Sequence, residues 1–237
     1  ELLEIAYEHI PTQSLLKHSS AKVVRMDIKK KGNTIGYIQG AGDLVPESLT
    51  QIGYNVVRIQ PQDISLKNLQ NFDAVVMGIR AYNTVDELKF KQTEILKYVE
   101  AGGNLIVQYN TAGRSGVAVG APYTLKVSRD RVTDENAKVI FFDNKHALLN
   151  IPNKITSHDF EGWVQERGLY FPNKWSKEYT PILGMNDKGE SMTKGSLLVA
   201  SYGKGNYIYT GLSFFRELPA GVPGAYKLFA NLLSYKK

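Results

Sequence analysis

The chain has 237 residues, 43% of them hydrophobic, so it can bury a core for one large domain, or for one domain with an appendage. The absence of cysteine excludes disulfides, thiolate metal sites and cysteine nucleophiles, and it is compatible with an exported protein. The net charge is +6, and the sequence has a single tight basic run, Lys29–Lys31. Because no aromatic residues cluster with basic ones, the positive charge indicates a solvated surface rather than a nucleic-acid site.

Residues 1–32 lack the regular pattern of the domain that we predict at residues 33–237. Residues 2–6 are suited to a short helix, and the alternation from Ala21 to Ile28 predicts a strand with one apolar face. With its linker, this strand belongs either to a preceding domain or to the edge of the following one. The chain starts at Glu1 and has neither a leader nor an apolar run long enough to span a bilayer. We therefore expect a processed form or a piece of a longer protein, with an extracytoplasmic location favoured over a cytoplasmic one.

A strand, helix and strand follow in order at the start of the main domain. A strand at Thr34–Gln39 leads to a helix that Asp43 can cap, and Gly53 ends this helix before a strand at Asn55–Ile59. This arrangement predicts one β-α-β crossover.

A second unit of the same kind runs from a strand at Ala74–Met77 to a strand at Leu105–Val107. Thr84 and Glu87 fit a capping box for the helix between them, and Gly102 supplies the left-handed residue that stops it. Both strands are short and rich in β-branched residues, which is typical of central, parallel strands covered by helices on both sides. The repeated unit predicts a three-layer, doubly wound, flavodoxin-like α/β sheet.

The residues just beyond the strand ends are candidates for a ligand site, because doubly wound sheets bind ligands there. Six of them could together hold an anionic or hydroxylated ligand: Arg80, Tyr82, Asn83, Tyr109, Asn110 and Arg216. Alternatively, Arg80 joins loops by bonding carbonyl groups and Glu217, since arginine serves both purposes.

The second half of the domain is richer in strands. Residues 113–123 are rich in glycine and lack helical periodicity, so we expect a loop or an irregular hairpin where a helix would normally follow. The charged residues Arg129–Arg131, with Asp134 and Glu135, are interpreted as loop-locking ion pairs rather than catalytic groups. Strands are predicted at Lys138–Phe142, Gly168–Phe171, Thr180–Gly184, Ser196–Tyr202 and Asn206–Thr210. A tight turn joins the last two strands, and a closing helix follows Pro223.

Residues 33–237 contain, in order, FDAVVMG, a capped helix, YVEAGGNLIVQYN, and a late YIYTG strand before the last helix. This order of elements resembles the class I glutamine amidotransferase-like fold. In that family a cysteine on a tight elbow follows the strand that here is Leu105–Gln108, and a His-x-Glu pair follows the late strand. The elbow here reads QYNT, and Phe215 stands about where the histidine would be. Only Glu217 matches the third member, so the resemblance implies this fold without glutaminase activity.

Four later segments resemble the C-terminal region of bacterial PIG-L/LmbE-type deacetylases. They are SRDRVTDENA (Ser128–Ala137), HALLNIPNKIT (His146–Thr156), DFEGWVQERGLYFP (Asp159–Pro172) and GLSFFRELPAGVPGAYKLFANLL (Gly211–Leu233). These enzymes are zinc-dependent and remove acetyl groups from N-acetylglucosamine-containing substrates. Their zinc ligands lie in an N-terminal catalytic domain, and the 4 histidines of this chain show no HxxH-type spacing. The resemblance implies an accessory domain with no cofactor of its own, whose partner is the preceding deacetylase domain.

The segment DFEGWVQER is a candidate sugar site, because the indole of Trp163 could cover a sugar ring while an aspartate and an arginine fix hydroxyl groups. The alternative is a buried Trp163 beside an ion pair, either Glu166 with Arg167 or Arg131 with Glu161.

Three carboxylates, Asp159, Glu161 and Glu217, are also candidates for catalysis with a bound water. His158 adjoins two of them, but without a distant fourth ligand we predict no metal site. Three hypotheses follow: a non-catalytic accessory domain for substrate binding, domain packing or oligomerisation; a stand-alone hydrolase; and a carbohydrate-binding module with a glycan ligand. Convergent carboxylates in a deep pocket at the strand ends would favour the hydrolase.

Overall fold

A computed structural model describes residues 2–112 and 119–235 of the chain. Its strands are β1 (Leu2–Tyr7), β2 (Ile10–Leu16), β3 (Thr34–Ile38), β4 (Asn55–Arg58), β5 (Ala74–Met77), β6 (Asn104–Gln108), β7 (Leu125–Val132), β8 (Ile140–Phe141), β9 (Gly168–Trp175), β10 (Tyr179–Pro181), β11 (Leu183–Gly184), β12 (Leu197–Tyr202) and β13 (Gly205–Thr210). Its helices are α1 (Val45–Gln51), α2 (Leu66–Leu69), α3 (Ala81–Thr84), α4 (Leu88–Glu100), α5 (Phe214–Glu217) and α6 (Pro223–Leu233). Short 3-10 turns lie at Pro61–Asp63, Ala147–Leu149 and Ser157–Phe160.

The centre of the molecule is a sheet with the strand order β10-β12-β13-β6-β5-β3-β4. The strands from β13 to β4 are parallel to their neighbours, whereas β12 pairs antiparallel with both β13 and β10. Val75 and Met77 face α2 and α4 on one side, and Val76 faces α1 and α6 on the other, as the two-residue period of a strand requires. Helices thus cover both faces, which confirms the three-layer, doubly wound α/β fold.

Both predicted β-α-β units are present, and the bounds of their strands differ from the prediction by at most one residue at an end. The Asp43 carboxylate accepts a hydrogen bond from the Val45 N–H at the start of α1. Gly53 and Gly102 have φ values of 87° and 116°, the left-handed conformation expected after a helix. The capping box predicted at Thr84 is wrong, because this residue ends α3 and its hydroxyl donates to the Arg80 carbonyl at 3.1 Å. The helix α4 begins later, at Leu88.

The N-terminal residues form a separate hairpin in which, among the described strands, β1 and β2 pair only with each other. The helix predicted at residues 2–6 is wrong, because Leu3, Ile5 and Tyr7 repeat every second residue and so follow the period of a strand. Residues 21–28 form no strand, and the sheet ends at β4 on that side. Met26 and Ile28 instead pack against the core with their side chains. The assignment of residues 1–32 to a preceding domain stays a prediction.

The second half is rich in strands, as predicted, but its strands have different bounds. The strand predicted at Lys138–Phe142 is reduced to β8, and Ile182 separates β10 from β11. The strand β9 is longer than predicted, because it pairs with β7, which the sequence pattern did not reveal. Of the loop predicted at residues 113–123, residues 113–118 lie outside the described part, and the others contain neither helix nor strand. Within the described ranges, no helix has the length and apolar character needed to cross a bilayer.

Candidate functional site

The carboxyl ends of β6 and β13 bring two aromatic residues together. Tyr109 directly follows β6, and Phe215 lies in α5, which follows β13 after a short connection. Because β6 and β13 are parallel neighbours, both residues lie at the same edge of the sheet. Their ring centroids are 5.3 Å apart. The positions that the amidotransferase resemblance assigns to the cysteine elbow and the histidine are therefore adjacent in space, and both hold aromatic rings.

Further side chains surround this aromatic contact. Tyr109 is 7% exposed and stacks on Tyr170 with a centroid distance of 5.9 Å. The Arg216 guanidinium lies 4.7 Å from the Phe215 ring centroid, and its Nε donates to Glu166 Oε1 at 2.9 Å. Burial raises the pKa of Tyr109, so its hydroxyl is a neutral donor at physiological pH. We call this group the strand-end cluster; it comprises Arg80, Tyr109, Glu166, Tyr170, Phe215 and Arg216.

Unusual backbone conformations concentrate at the strand-end cluster. Among the described residues other than glycine, those with positive φ are Arg80 (56°), Gln165 (72°) and Tyr170 (54°). The left-handed conformation costs a residue with a Cβ about 1–2 kcal/mol. The Arg80 N–H donates to the Tyr109 carbonyl at 2.8 Å, and the Tyr209 hydroxyl donates to the Tyr170 carbonyl at 3.0 Å. Such strain tends to occur at ligand and active sites, which makes the cluster the leading candidate for the functional site.

The side chain of Arg80 does not make the contacts predicted for an arginine that joins loops. Its Nε is buried and has no hydrogen-bond partner among the described residues. The predicted bond to Glu217 is not formed, because the Glu217 carboxylate accepts from the Val164 N–H at 2.9 Å and from the Ser213 hydroxyl at 3.3 Å. Arg80 therefore keeps one buried donor without a partner among the described residues.

Three of the predicted ligand residues instead join the loops that follow β5 and β6. Asn83 and the backbone of Thr111 exchange two hydrogen bonds, of 3.2 and 2.8 Å. The Tyr82 N–H donates to Asn110 Oδ1 at 3.0 Å, and Asn110 is completely buried. Tyr82, Asn83 and Asn110 thus position the loops, and the remaining predicted residues, Arg80, Tyr109 and Arg216, form part of the strand-end cluster.

Glu217 matches the third family member in sequence but has a structural environment. It is 0% exposed, and burial raises its pKa to about 7. Its hydrogen bonds tie α5 to the loop at Val164, directly before Gln165 and Glu166. Glu217 therefore helps to hold the segment that carries Glu166 in the cluster.

Trp163 does not form the predicted platform for a sugar. It is 4% exposed, and its ring packs against Phe160 at 5.4 Å and Phe214 at 6.1 Å. Arg167 is also buried and donates to the Ala137 carbonyl at 3.0 and 2.9 Å, so it does not pair with Glu166 as the alternative interpretation expected. Trp163 is a core residue, and no face of its indole is open to a ligand.

The candidate catalytic carboxylates are not directed at a common point. Asp159 accepts a hydrogen bond from the Thr156 N–H at 2.8 Å and pairs with Lys227 at 3.2 Å. Glu161 is exposed and pairs with His158 at 2.8 Å. Across residues 2–112 and 119–235, no group of three histidine, aspartate or glutamate residues could hold a metal ion.

A small cavity adjoins the strand-end cluster and contains residues that sequence reasoning missed. Its volume is about 170 Å³, and its lining consists of Arg129, Arg131, Glu166, Leu169 and Tyr170. Neither arginine lies within ion-pair distance of a described carboxylate, although Arg131 interacts electrostatically with Asp187, so their interpretation as loop-locking residues stays a prediction. Their spacing of two residues could have revealed a shared strand face, whereas nothing in the sequence marks the left-handed Tyr170.

The four segments for which the sequence predicts a resemblance to PIG-L/LmbE-type deacetylases pack on one another. Arg167 donates to the carbonyl groups of Ala137 and Phe160, and the Ser213 hydroxyl donates to the Glu166 carbonyl at 2.7 Å. Asn231 Nδ2 donates to the Asn153 carbonyl at 2.7 Å and to the Leu148 carbonyl at 2.9 Å. The segments therefore form one continuous part of the molecule, which includes much of the strand-end cluster.

No protein-family model and no curated protein matches the chain. Solved structures are similar in fold. A cytoplasmic protein from Salmonella typhimurium is 14% identical over 86% of this chain and 100% of that one, with a TM-score of 0.57. A ThuA-like protein from Bacteroides uniformis is 13% identical over 92% and 97% of the two chains, with a TM-score of 0.54. A GMP synthase-like protein from Thermoplasma acidophilum is 13% identical over 86% and 94%, also with a TM-score of 0.54. At these identities the similarity shows the fold alone, which is ThuA-like and glutamine amidotransferase-like.

Proposed function

We propose that this chain is a non-catalytic, amidotransferase-like accessory domain that binds a glycan or another hydroxylated or anionic ligand at its strand-end cluster. The observation that carries the proposal is the 5.3 Å contact between the rings of Tyr109 and Phe215. An amidotransferase needs a nucleophile and a base at this place. A neutral tyrosine and a phenylalanine supply neither, whereas tyrosine hydroxyls and arginine side chains are good donors for an oxygen-rich ligand.

The hydrolase alternative loses support from the surroundings of the carboxylates. Asp159 pairs with Lys227, Glu161 pairs with His158, and Glu217 accepts hydrogen bonds from Val164 and Ser213. General acid and base catalysis requires both groups within reach of one substrate. These three carboxylates have separate partners, so a mechanism with a shared bound water is not favoured.

We further propose that the domain serves a PIG-L/LmbE-type deacetylase that acts on N-acetylglucosamine-containing substrates. The support is the resemblance of four segments to such proteins, together with the hydrogen bonds that join those segments. In this role the zinc-dependent chemistry belongs to a preceding catalytic domain, and this chain contributes binding.

The proposal is tested by comparing turnover with binding. The isolated chain is assayed for hydrolysis of glutamine and for deacetylation of N-acetylglucosamine derivatives, with and without zinc, and it is screened against a glycan array. We expect no turnover by the chain alone, glycan binding in the screen, and deacetylation only by the full-length gene product. Metal-dependent turnover by the isolated chain would refute the accessory role.

Domain packing or oligomerisation is the second candidate, and the N-terminal hairpin is the observation that favours it. Leu3 lies opposite Leu15, and Tyr7 lies opposite Ile10, yet their exposed fractions are 42%, 43%, 62% and 36%. An isolated two-stranded hairpin is only marginally stable in water, so a partner surface would stabilise it. Light scattering should then show association that increases with concentration and that Leu3→Ser with Leu15→Ser abolishes. A monomer at all concentrations would contradict self-association through this hairpin.

A further inference from the structure

The strand-end cluster and the adjoining cavity carry excess positive charge. Arg129 and Arg131 line the cavity, and the acidic residue in its lining, Glu166, already bonds Arg216 at 2.9 Å. Of the described carboxylates, none forms an ion pair with Arg80, Arg129 or Arg131. The two arginines of the cavity thus form no close ion pair of their own, and Arg131 interacts at longer range with Asp187.

The geometry of the strand β7 places two of these charges side by side. Arg129 and Arg131 are two residues apart in β7 and both line the cavity, so their side chains lie on the same side of the strand despite the register shifts around Asp130. Like charges at this spacing repel each other, and a bound anion would relieve the repulsion. The planar guanidinium fork matches the oxygen atoms of a carboxylate or a phosphate group.

The size of the cavity limits what it can enclose. A volume of about 170 Å³ is below the range of about 300–1,000 Å³ that is typical of pockets for whole drug-sized ligands. It has room for a charged group and part of a ring, but not for an oligosaccharide. Tyr170 lines the cavity and also stacks on Tyr109, so it connects the cavity with the strand-end cluster.

We propose that this cavity binds a carboxylate or phosphate group of a small ligand, held by Arg129 and Arg131 against the ring of Tyr170. The inference rests on the proposed binding role of the strand ends and adds the charge class of the ligand. Arg80 adds positive charge close to Tyr109, on which Tyr170 stacks.

Calorimetric titration with matched pairs of probes tests this inference. The pairs are N-acetylglucosamine phosphate with N-acetylglucosamine, and glucuronate with glucose; inorganic phosphate is titrated alone. We expect the charged member of at least one pair to bind about tenfold or more tightly than its neutral partner, and added salt to weaken it. The pair that shows the preference distinguishes a phosphate from a carboxylate group.

Two double variants locate the site. Arg129→Gln with Arg131→Gln should abolish the preference for the charged probe. Lys126→Gln with Lys174→Gln removes the same charge from residues that lie opposite each other at the far end of the β7–β9 pair, and it should leave the preference intact. Circular dichroism confirms that both variants are folded.

Each adverse result has a distinct meaning. Equal affinity for charged and neutral members would overturn the anion site but leave the binding role standing. A preference that survives in the arginine variant would also overturn this site. Failure of all probes to bind would overturn the inference, and the glycan array would then decide the proposed function separately.

Discussion

Replacing the buried Glu217 with glutamine should change how stability depends on pH. Glu217 is 0% exposed, and burial raises its pKa from the ordinary 4.5 to about 7. The folded state therefore holds the proton more tightly than the unfolded state. The resulting stabilisation is complete below about pH 4.5 and is lost as the pH rises through about 7. Each tenfold change in proton affinity is worth about 1.4 kcal/mol, so the wild type should lose about 2–3 kcal/mol between about pH 5 and about pH 8.5 from this group.

Glutamine keeps the shape of the side chain and the acceptor for the Val164 N–H, but it does not titrate. Urea unfolding at both pH values gives the free energy of unfolding of each protein. Relative to the wild type, Glu217→Gln should gain about 2–3 kcal/mol at the higher pH. The control is Glu161→Gln, which removes the same charge from an exposed site and should follow the wild type at both pH values. Parallel pH profiles for Glu217→Gln and the wild type would refute the argument.

Two further substitutions test the packing near the site. Trp163→Ala should lower the free energy of unfolding by about 3–5 kcal/mol, because it empties a core position; urea unfolding measures this, and a loss below about 1 kcal/mol would contradict the burial of the indole. Gly40→Ala should lower the melting temperature more than Gly42→Ala, because a Cβ at Gly40 would overlap the Ile79 carbonyl and lie 2.7 Å from the Ala81 nitrogen. At Gly42 no described atom lies within 4 Å of the added Cβ, so alanine there suffers only the strain of a φ of 98°, about 1–2 kcal/mol. Equal effects in a thermal melt would show that the overlap at Gly40 costs no more than this backbone strain.

The central sheet could be predicted because its signals are local. The run Ala74–Met77 is apolar on both faces of its strand. The strand and the point where it ends can therefore be predicted from these residues without knowledge of distant ones. The strand β7 escaped prediction because charged residues cover its exposed face and its pairing with β9 is interrupted by register shifts. Those shifts depend on the partner strand, which lies far away in the sequence.

The site could be predicted only where it follows from the rule about strand ends. Arg80, Tyr109 and Arg216 follow from that rule, since each lies just beyond a strand or the turn after it. Tyr170 reaches the cluster from β9 and has a left-handed backbone conformation, which no local pattern indicates. The burial of Trp163 likewise depends on Phe214, which is distant in the chain.

The strand order has a consequence for the synthesis of this protein on the ribosome. The neighbour of β6 on one side is β13, whose residues Gly205–Thr210 are translated about a hundred residues later. Until then the backbone groups of β6 on that side have no strand to pair with, although both faces of the strand are buried in the complete fold. The nascent sheet therefore stays incomplete until almost the whole chain has emerged. The late strand β13 then takes an interior position in the sheet rather than a position at its edge.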